Sequence, residues 1–180
     1  MYEVLLGVTG GAAAFKACIL GSLMRKEGYR VNTILTSGAL RFITPIQISS
    51  VTGGPCYTRL FNEDRPDFIP HISLTDNADL MVIAPATANF LGRAASGIAD
   101  DLLTSAFLAC EAPVLVAPAM NTRMWSNHAV KHNMEVLLQR GVSTAGPVKG
   151  ELACGTTGTG RMMEPEDIFS ICKSILKAGG

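Results

Sequence analysis

The sequence has no continuous apolar run of about 18 residues, the length that a membrane-spanning helix needs. Its apolar stretches are short and are broken by glycine, proline or polar residues, so we predict no membrane partner. It also has no excess of one charge, because lysine plus arginine and aspartate plus glutamate number 15 each. That balance removes the electrostatic argument for nucleic-acid binding.

Cysteines and charged residues are also few. The five cysteines form no Cys-x-x-Cys pair, and the chain does not open with a secretory signal pattern. These features predict free thiols in a reducing, cytoplasmic compartment, and no structural zinc site. Charged residues make up 17% of the 180 residues, and the mean hydropathy is +0.28. So few charges predict that other subunits cover part of the surface.

Short apolar strands alternate with helical segments along the chain. The predicted strands are Glu3–Val8, Arg30–Thr36, Asp79–Ala84, Pro113–Ala117 and a short one near 142–144. The predicted helices include 12–27, 124–140 and 165–177, and a helical region at 89–110 that Gly92 and Gly97 divide. This alternation indicates βαβ units. We therefore predict an α/β fold: a single doubly wound domain over residues 1–180, with a parallel sheet and helices on both faces.

Small turns with hydroxyl or amide side chains follow the first four predicted strands. They read TGGA, TSGA, PATAN and PAMN. Ligands of doubly wound sheets bind beyond the carboxyl ends of the strands, so these turns predict the site. The first turn, at Gly10 and Gly11, is neither a G-x-G-x-x-G fingerprint nor a P-loop. It could offer backbone amides to a phosphate, or simply connect a strand tightly to a helix.

Several polar residues resemble catalytic or metal-binding groups but have a simpler interpretation. Asp100 and Asp101 are adjacent, and neighbouring side chains on a helix diverge by about 100°. We expect at least one of them to cap a helix or to link helices. His128 and His132 have the spacing of a zinc pair, but no Glu lies between them in an H-E-x-x-H pattern, so a solvated helix face is favoured. The glycine-rich segment Lys149–Asp167 is predicted to form neither strand nor helix.

Five motifs, in this order, resemble the homo-oligomeric flavin-containing cysteine decarboxylases. They are GVTGGAAAFK, HISLTDNADLMVIAPATAN, GIADDLLT, PAMNTRMW and LACGTTGTGRM, and they span nearly the whole chain. The resemblance implies a Rossmann-like flavoprotein fold that binds FMN and assembles as a homotrimer or homododecamer. It also implies that a phosphopantothenate-cysteine ligase is fused to this chain or acts separately.

The resemblance also implies roles for individual residues. Gly10, Gly11, Ala12 and Ser37 would hold the FMN phosphate. Thr87, Ala88, Asn89 and Ala119 would lie at the isoalloxazine and ribityl groups. His71 would be the catalytic base in a site shared between subunits, Asn121 would bind the substrate carboxylate, and Cys154 would donate a proton. Met124, Ala153, Arg161 and Met162 would complete the substrate site, with 150–163 as a mobile lid.

The implied reaction is the decarboxylation of 4'-phosphopantothenoylcysteine to 4'-phosphopantetheine in coenzyme A biosynthesis. Transient oxidation of the thiol to a thioaldehyde would create the electron sink for loss of CO2, and re-reduction of the enethiol would follow. Three alternatives are weighed against it: a peptidyl-cysteine decarboxylase of lantibiotic maturation, a non-catalytic flavin-fold subunit that inhibits a phosphatase, and a flavin prenyltransferase. Cys154 favours the coenzyme A reaction, because the lantibiotic enzymes stop at the enethiol.

Overall fold

The computed structural model describes residues 1–61, 69–151, 155 and 157–178. Within them, six strands form one sheet in the order β3-β2-β1-β4-β5-β6, with every neighbouring pair parallel. The strands are β1 (Glu3–Val8), β2 (Arg30–Leu35), β3 (Cys56–Tyr57), β4 (Leu80–Ala86), β5 (Val114–Pro118) and β6 (Ser143–Thr144). The predicted doubly wound parallel sheet is confirmed.

Helices cover both faces of this sheet. They are α1 (Phe15–Lys26), α2 (Pro45–Thr52), α3 (Pro70–Thr75), α4 (Ala88–Ala95), α5 (Leu102–Ala109), α6 (Thr122–Trp125), α7 (His128–Gln139) and α8 (Pro165–Ala178), with short 3-10 turns at Ala12–Ala14 and Ala39–Arg41. None of the helices in the described ranges is both long and apolar enough to cross a membrane.

Two hydrophobic cores lie on opposite sides of the sheet. Successive strand side chains point to opposite faces, so Val4 and Leu6 of β1 join the core under α1, α2 and α8. Leu5, between them, joins the core formed with α3, α4, α5 and α7. Parallel strands covered on both faces need apolar residues at nearly every position, which is why β4 and β5 are continuous apolar runs in the sequence.

Some predicted helix boundaries were wrong for local reasons. Gly92 lies inside α4 and does not divide the region, whereas Gly97, with φ of +70°, does separate α4 from α5. The helix predicted at 124–140 is two helices, because the Asn127 side chain accepts a hydrogen bond from the Ala129 amide and starts α7 afresh. Helix α3, with His71 in its first turn, was not predicted.

The prediction for the glycine-rich segment was also wrong where the structure describes it. Residues Val148–Glu151 (β7) and Thr157–Arg161 (β8) pair as an antiparallel hairpin. Glycine weakens a strand but does not forbid one when a partner strand supplies the hydrogen bonds. Ala153 and Cys154 lie outside the described residues, so their roles and the mobile lid stay predictions.

Candidate functional site

A cavity of about 940 Å³ opens at the carboxyl edge of the sheet. Strands β1 and β4 are neighbours there, and the chain leaves them toward opposite edges of the sheet, which makes this the topological switch point. The turns after β1, β2, β4 and β5 and the end of β8 all contribute to the wall. The lining residues are Thr9, Gly10, Gly11, Ala12, Ala13, Phe15, Lys16, Thr36, Ser37, Gly38, Thr87, Ala88, Asn89, Phe90, Arg93, Asp101, Ala119, Met120, Asn121, Met124, Glu151, Gly160, Arg161 and Met162.

The turns after β1 and β2 meet through two glycines. A Cβ atom on Gly10 would lie 2.6 Å from the Gly38 carbonyl carbon, closer than real Cβ atoms approach backbone. Glycine at position 10 is therefore what lets the two turns touch. The first amides of the following helical segment have no helical acceptor, so they can serve an anion at this edge of the cavity.

Thr9 joins the turn after β1 to the end of β4, and the sequence analysis missed it. Its buried hydroxyl donates to the Pro85 carbonyl oxygen at 2.7 Å and accepts from the Thr87 amide at 3.1 Å. Thr87 in turn begins α4, since its hydroxyl accepts from the Phe90 amide. Nothing local in the sequence marks Thr9, because its partners lie more than 70 residues further along the chain.

The turn after β5 carries Asn121 at the cavity. Its side-chain oxygen accepts from the Arg123 amide at 2.8 Å and so begins α6. The Met120 amide donates to the Gly160 carbonyl oxygen at 2.9 Å, and a side chain on Gly160 would collide with the Met120 oxygen. Glycine in β8 thus lets the hairpin pack on this turn, which brings Arg161 to the cavity wall.

Lys16, in the first turn of α1, is buried although it is charged. Its ammonium group donates to both Glu164 carboxylate oxygens at 2.9 Å, and Glu164 also pairs with Arg161. The hydrogen bond from Lys16, followed by the charges of Lys16 and Arg161, holds the pKa of the Glu164 carboxyl below its ordinary value. This cluster fixes the residues after β8 against α1.

Arg93 and the two aspartates form a second charged cluster at the cavity. Asp101 begins α5 with a capping box, and its carboxylate accepts from the Thr104 amide at 2.8 Å and from Arg93 at 2.8 Å. Burial disfavours the charged form, but the hydrogen bonds from Thr104 and Arg93 outweigh it and lower the pKa of Asp101. Asp100 pairs with Arg93 as well. The prediction of a capping or helix-linking role is confirmed.

A family model described as Flavoprotein matches residues 1–177. The chain belongs to the flavoprotein family. This flavoprotein is 46% identical over 171 residues to the coenzyme A biosynthesis bifunctional protein CoaBC of Bacillus subtilis (strain 168), a match that covers 95% of the chain and 42% of the relative. With the same-named protein of Mycobacterium tuberculosis (strain ATCC 25618 / H37Rv) the identity is 42%, over 97% of the chain and 41% of the relative. The chain thus spans less than half the length of these curated relatives.

Solved structures resemble the flavoprotein over nearly their full length. A PPC decarboxylase mutant complexed with pantothenoylaminoethenethiol has a TM-score of 0.89 and 34% identity, with 98% of each chain covered. The FMN binding protein AtHal3 has a TM-score of 0.86 and 34% identity, covering 98% of this chain and 97% of the other. The FMN-dependent cysteine decarboxylase SpaF has a TM-score of 0.82 and 31% identity, covering 100% and 98%.

Most of the predicted site residues of this flavoprotein line the one cavity. The residues that do so are Gly10, Gly11, Ala12, Ser37, Thr87, Ala88, Asn89, Ala119, Asn121, Met124, Arg161 and Met162. His71 does not line it: the histidine lies on α3, where its buried Nδ1 atom has no hydrogen-bond partner among the described residues. His128 and His132 are exposed on α7, as the solvated-face interpretation predicted. In the described ranges, no group of three acidic, histidine or cysteine side chains is placed to hold a metal ion.

Proposed function

We propose that this flavoprotein catalyses the FMN-dependent decarboxylation of 4'-phosphopantothenoylcysteine to 4'-phosphopantetheine. The observation that carries the proposal is the convergence of four strand-end turns on one cavity, in a chain 34% identical to a PPC decarboxylase over 98% of both chains. The 46% identity to a protein named for coenzyme A biosynthesis supports the same substrate class.

The cavity fits a flavin mononucleotide. Its volume of about 940 Å³ lies at the upper end of the range for cofactor and ligand sites, so it has space for a flavin and part of a substrate. The Gly10 turn, whose glycine cannot carry a Cβ, would hold the phosphate together with Gly11, Ala12 and Ser37. When bound, FMN supplies a two-electron acceptor that takes a hydride from the substrate and later returns it.

Asn121 and its neighbours would bind the substrate. The Asn121 oxygen accepts from the Arg123 amide, which holds the side chain at the cavity wall, and an amide side chain also carries an NH2 donor. An amide donor suits the substrate carboxylate, because it binds the anion without neutralising the charge that drives the loss of CO2. Met124, Arg161 and Met162 lie on the same cavity and would contact the rest of the substrate, with Ala153 as a further predicted contact.

Two proton transfers complete the proposed reaction. Histidine exchanges protons near neutral pH, and we propose His71 as the base that takes the thiol proton. Because His71 does not line the cavity of its own chain, it would act on a neighbouring subunit's cavity, in a homotrimer or homododecamer. Cys154 is the proposed donor of the proton that ends the reaction, on a mobile lid at 150–163.

The cellular setting follows from the same proposal. The curated relatives are called bifunctional and are more than twice as long as this chain, so we infer that a phosphopantothenate-cysteine ligase acts with it, either fused or separate. We propose that this chain acts in the cytoplasm, as part of coenzyme A biosynthesis.

The test is to incubate the FMN-loaded protein with 4'-phosphopantothenoylcysteine and to measure the molecular mass of the product by mass spectrometry. Loss of CO2 alone supports the proposal. Loss of CO2 together with two hydrogens would assign the chain instead to the reaction of a peptidyl-cysteine decarboxylase, and no product would contradict both. His71→Asn should abolish reduction of the flavin by substrate while FMN stays bound, whereas His132→Asn, at an exposed histidine, should behave as wild type.

Cys154→Ser tests the last step separately. We expect this variant to oxidise and decarboxylate the substrate but to accumulate the enethiol. Full conversion to 4'-phosphopantetheine by the variant would contradict the proposed role of Cys154.

A further inference from the structure

The aromatic ring of Phe15 lies on the wall of the cavity, and its own chain leaves it largely uncovered. Phe15 is the first residue of α1 and is 54% exposed, although the residues on either side of it, Ala14 and Lys16, are buried. Among the described residues it belongs to neither of the two hydrophobic cores. The ring therefore adds little to the packing of the fold and is accessible to a molecule that fills the cavity.

Other large apolar residues on this wall show what the exposure of Phe15 means. Phe90 and Met162 line the cavity but are buried in the cores, so they belong to the packing of the fold. Met124, which the proposed function already assigns to the substrate, is exposed as Phe15 is. Ligand sites are lined by apolar and aromatic side chains, and covering such a side chain stabilises the complex. An exposed ring on a concave wall thus indicates an apolar group in the ligand.

The position of Phe15 separates it from the proposed site of the flavin ring. The isoalloxazine would lie at the turns after β4 and β5, and the FMN phosphate at the turn after β1, before α1 begins. Lys16, the next residue, donates to Glu164 and to the Met162 carbonyl oxygen, just beyond β8. Phe15 is thus on the hairpin side of the cavity, where Arg161 and Met162 are proposed to contact the substrate.

The extent of the cavity matches the length of the substrate. Asn121, the proposed carboxylate site, follows β5, and Phe15 follows β1; these strands lie two places apart in the sheet, which is about 10 Å. In the substrate about nine bonds separate the carboxylate from the carbon that carries the geminal methyl groups, or about 11 Å when extended. These methyl groups are the one branched apolar part of a pantothenoyl arm that otherwise carries amide, hydroxyl and phosphate groups.

We propose that the ring of Phe15 packs on the geminal dimethyl group of the pantothenoyl arm and makes the site specific for that arm. The proposal rests on the proposed function for the identity of the substrate. The dimethyl group is far from the carbon atoms that react, so the contact is the same in the bound substrate and in the transition state. Such a contact lowers KM and leaves kcat unchanged.

The test compares two residues on one face of α1. Phe15→Ala should raise KM for 4'-phosphopantothenoylcysteine about tenfold, with kcat and the affinity for FMN within about twofold of wild type. Ile19→Ala is the matched control, because Ile19 lies one turn further along the same face and is 42% exposed, but is not among the residues that line the cavity. The control should leave KM within about twofold of wild type.

A substrate analogue makes the test specific to the methyl groups. The probe is 4'-phosphopantothenoylcysteine without its two geminal methyl groups. Wild type and Phe15→Ala should have the same KM for this analogue within about twofold, since the contact is already lost. If Phe15→Ala does not fold, the same comparison is made with Phe15→Leu, which keeps an apolar side chain and should raise KM for the natural substrate about threefold.

Four results would overturn the proposal. The first is an unchanged KM in the folded Phe15 variants, and the second is an equal rise in KM for substrate and analogue. About tenfold weaker FMN binding in Phe15→Ala would assign the ring to the flavin instead. A change of oligomeric state in both Phe15→Ala and Ile19→Ala, measured by gel filtration, would assign this face of α1 to a contact between subunits. Wild-type protein that does not convert the substrate at all would also refute the proposed function, whereas conversion with an unchanged KM refutes the role of Phe15 alone.

Discussion

Replacing Thr9 by valine tests how the site is held together. Valine has the shape of threonine but lacks the hydroxyl that donates to the Pro85 carbonyl and accepts from the Thr87 amide. The Pro85 oxygen would keep the Thr9 amide as a donor at 3.3 Å, so the main loss is the buried Thr87 amide, left without its acceptor. We expect the free energy of unfolding to fall by about 2 kcal/mol.

Thr33 provides the matched control. It lies on β2 and is also fully buried, but its hydroxyl has no hydrogen-bond partner in the described residues. Valine at position 33 removes an unsatisfied polar group, so the same chemical change should raise the free energy of unfolding by about 1 kcal/mol. The two substitutions should therefore have opposite signs.

Thermal unfolding followed by the fluorescence of Trp125, the single tryptophan, measures both effects. For a chain of this size the midpoint should fall by about 4–8 °C for Thr9→Val and rise by about 2–4 °C for Thr33→Val. Thr9→Val should also bind FMN more weakly, because the turns after β1 and β4 would separate, whereas Thr9→Ser should retain most of the affinity. Equal destabilisation by both valine variants would refute the reasoning.

Three further changes test other parts of the structure. Gly10→Ala should weaken FMN binding, measured by flavin fluorescence, because its Cβ would overlap the Gly38 backbone; Gly92→Ala, on a helix with space for a methyl group, should not. Asp101→Asn should be less stable than wild type at pH 7, and the difference should shrink as the pH falls below about 4, because a lowered pKa stabilises the fold only while the carboxyl is ionised. Burial raises the pKa of Cys172 to about 12, so iodoacetamide at pH 8 should not alkylate this thiol until the protein unfolds.

For each of these three predictions, one result would contradict the stated reason. Wild-type affinity in Gly10→Ala would mean that the turns after β1 and β2 need not touch. A stability difference for Asp101→Asn that does not depend on pH would remove the carboxylate charge from the explanation. Labelling of Cys172 in the native protein, detected by peptide mass analysis, would contradict its burial.

Hydrophobic pattern and turn residues were enough to predict the elements whose hydrogen bonds are local or whose side chains are uniformly apolar. The strand Glu3–Val8 has the predicted bounds, and the strands that begin near Arg30, Asp79 and Pro113 agree within two residues. Gly97, with its positive φ, ends a helix as predicted. The strand-end turns were predicted to lie together because parallel strands all end at the same edge, and they do line one cavity.

Other features depended on pairing that the residue pattern does not show. The strands β7 and β8 are close in sequence, but their glycines give no strand pattern, and the hairpin forms because each strand supplies hydrogen bonds to the other. The bonds of Thr9 to the end of β4 and of Lys16 to Glu164 join residues 76 and 148 positions apart.

The sequence by itself therefore determined the doubly wound fold, the family and the set of turns that surround the cavity, because each follows from local pattern and motif. Only the tertiary structure decided that Thr9 joins two of those turns, that Asp100 and Asp101 pair with Arg93 at the cavity wall, and that His71 does not line the cavity of its own chain. These facts depend on how helices pack on the sheet, and packing is a property of the whole chain.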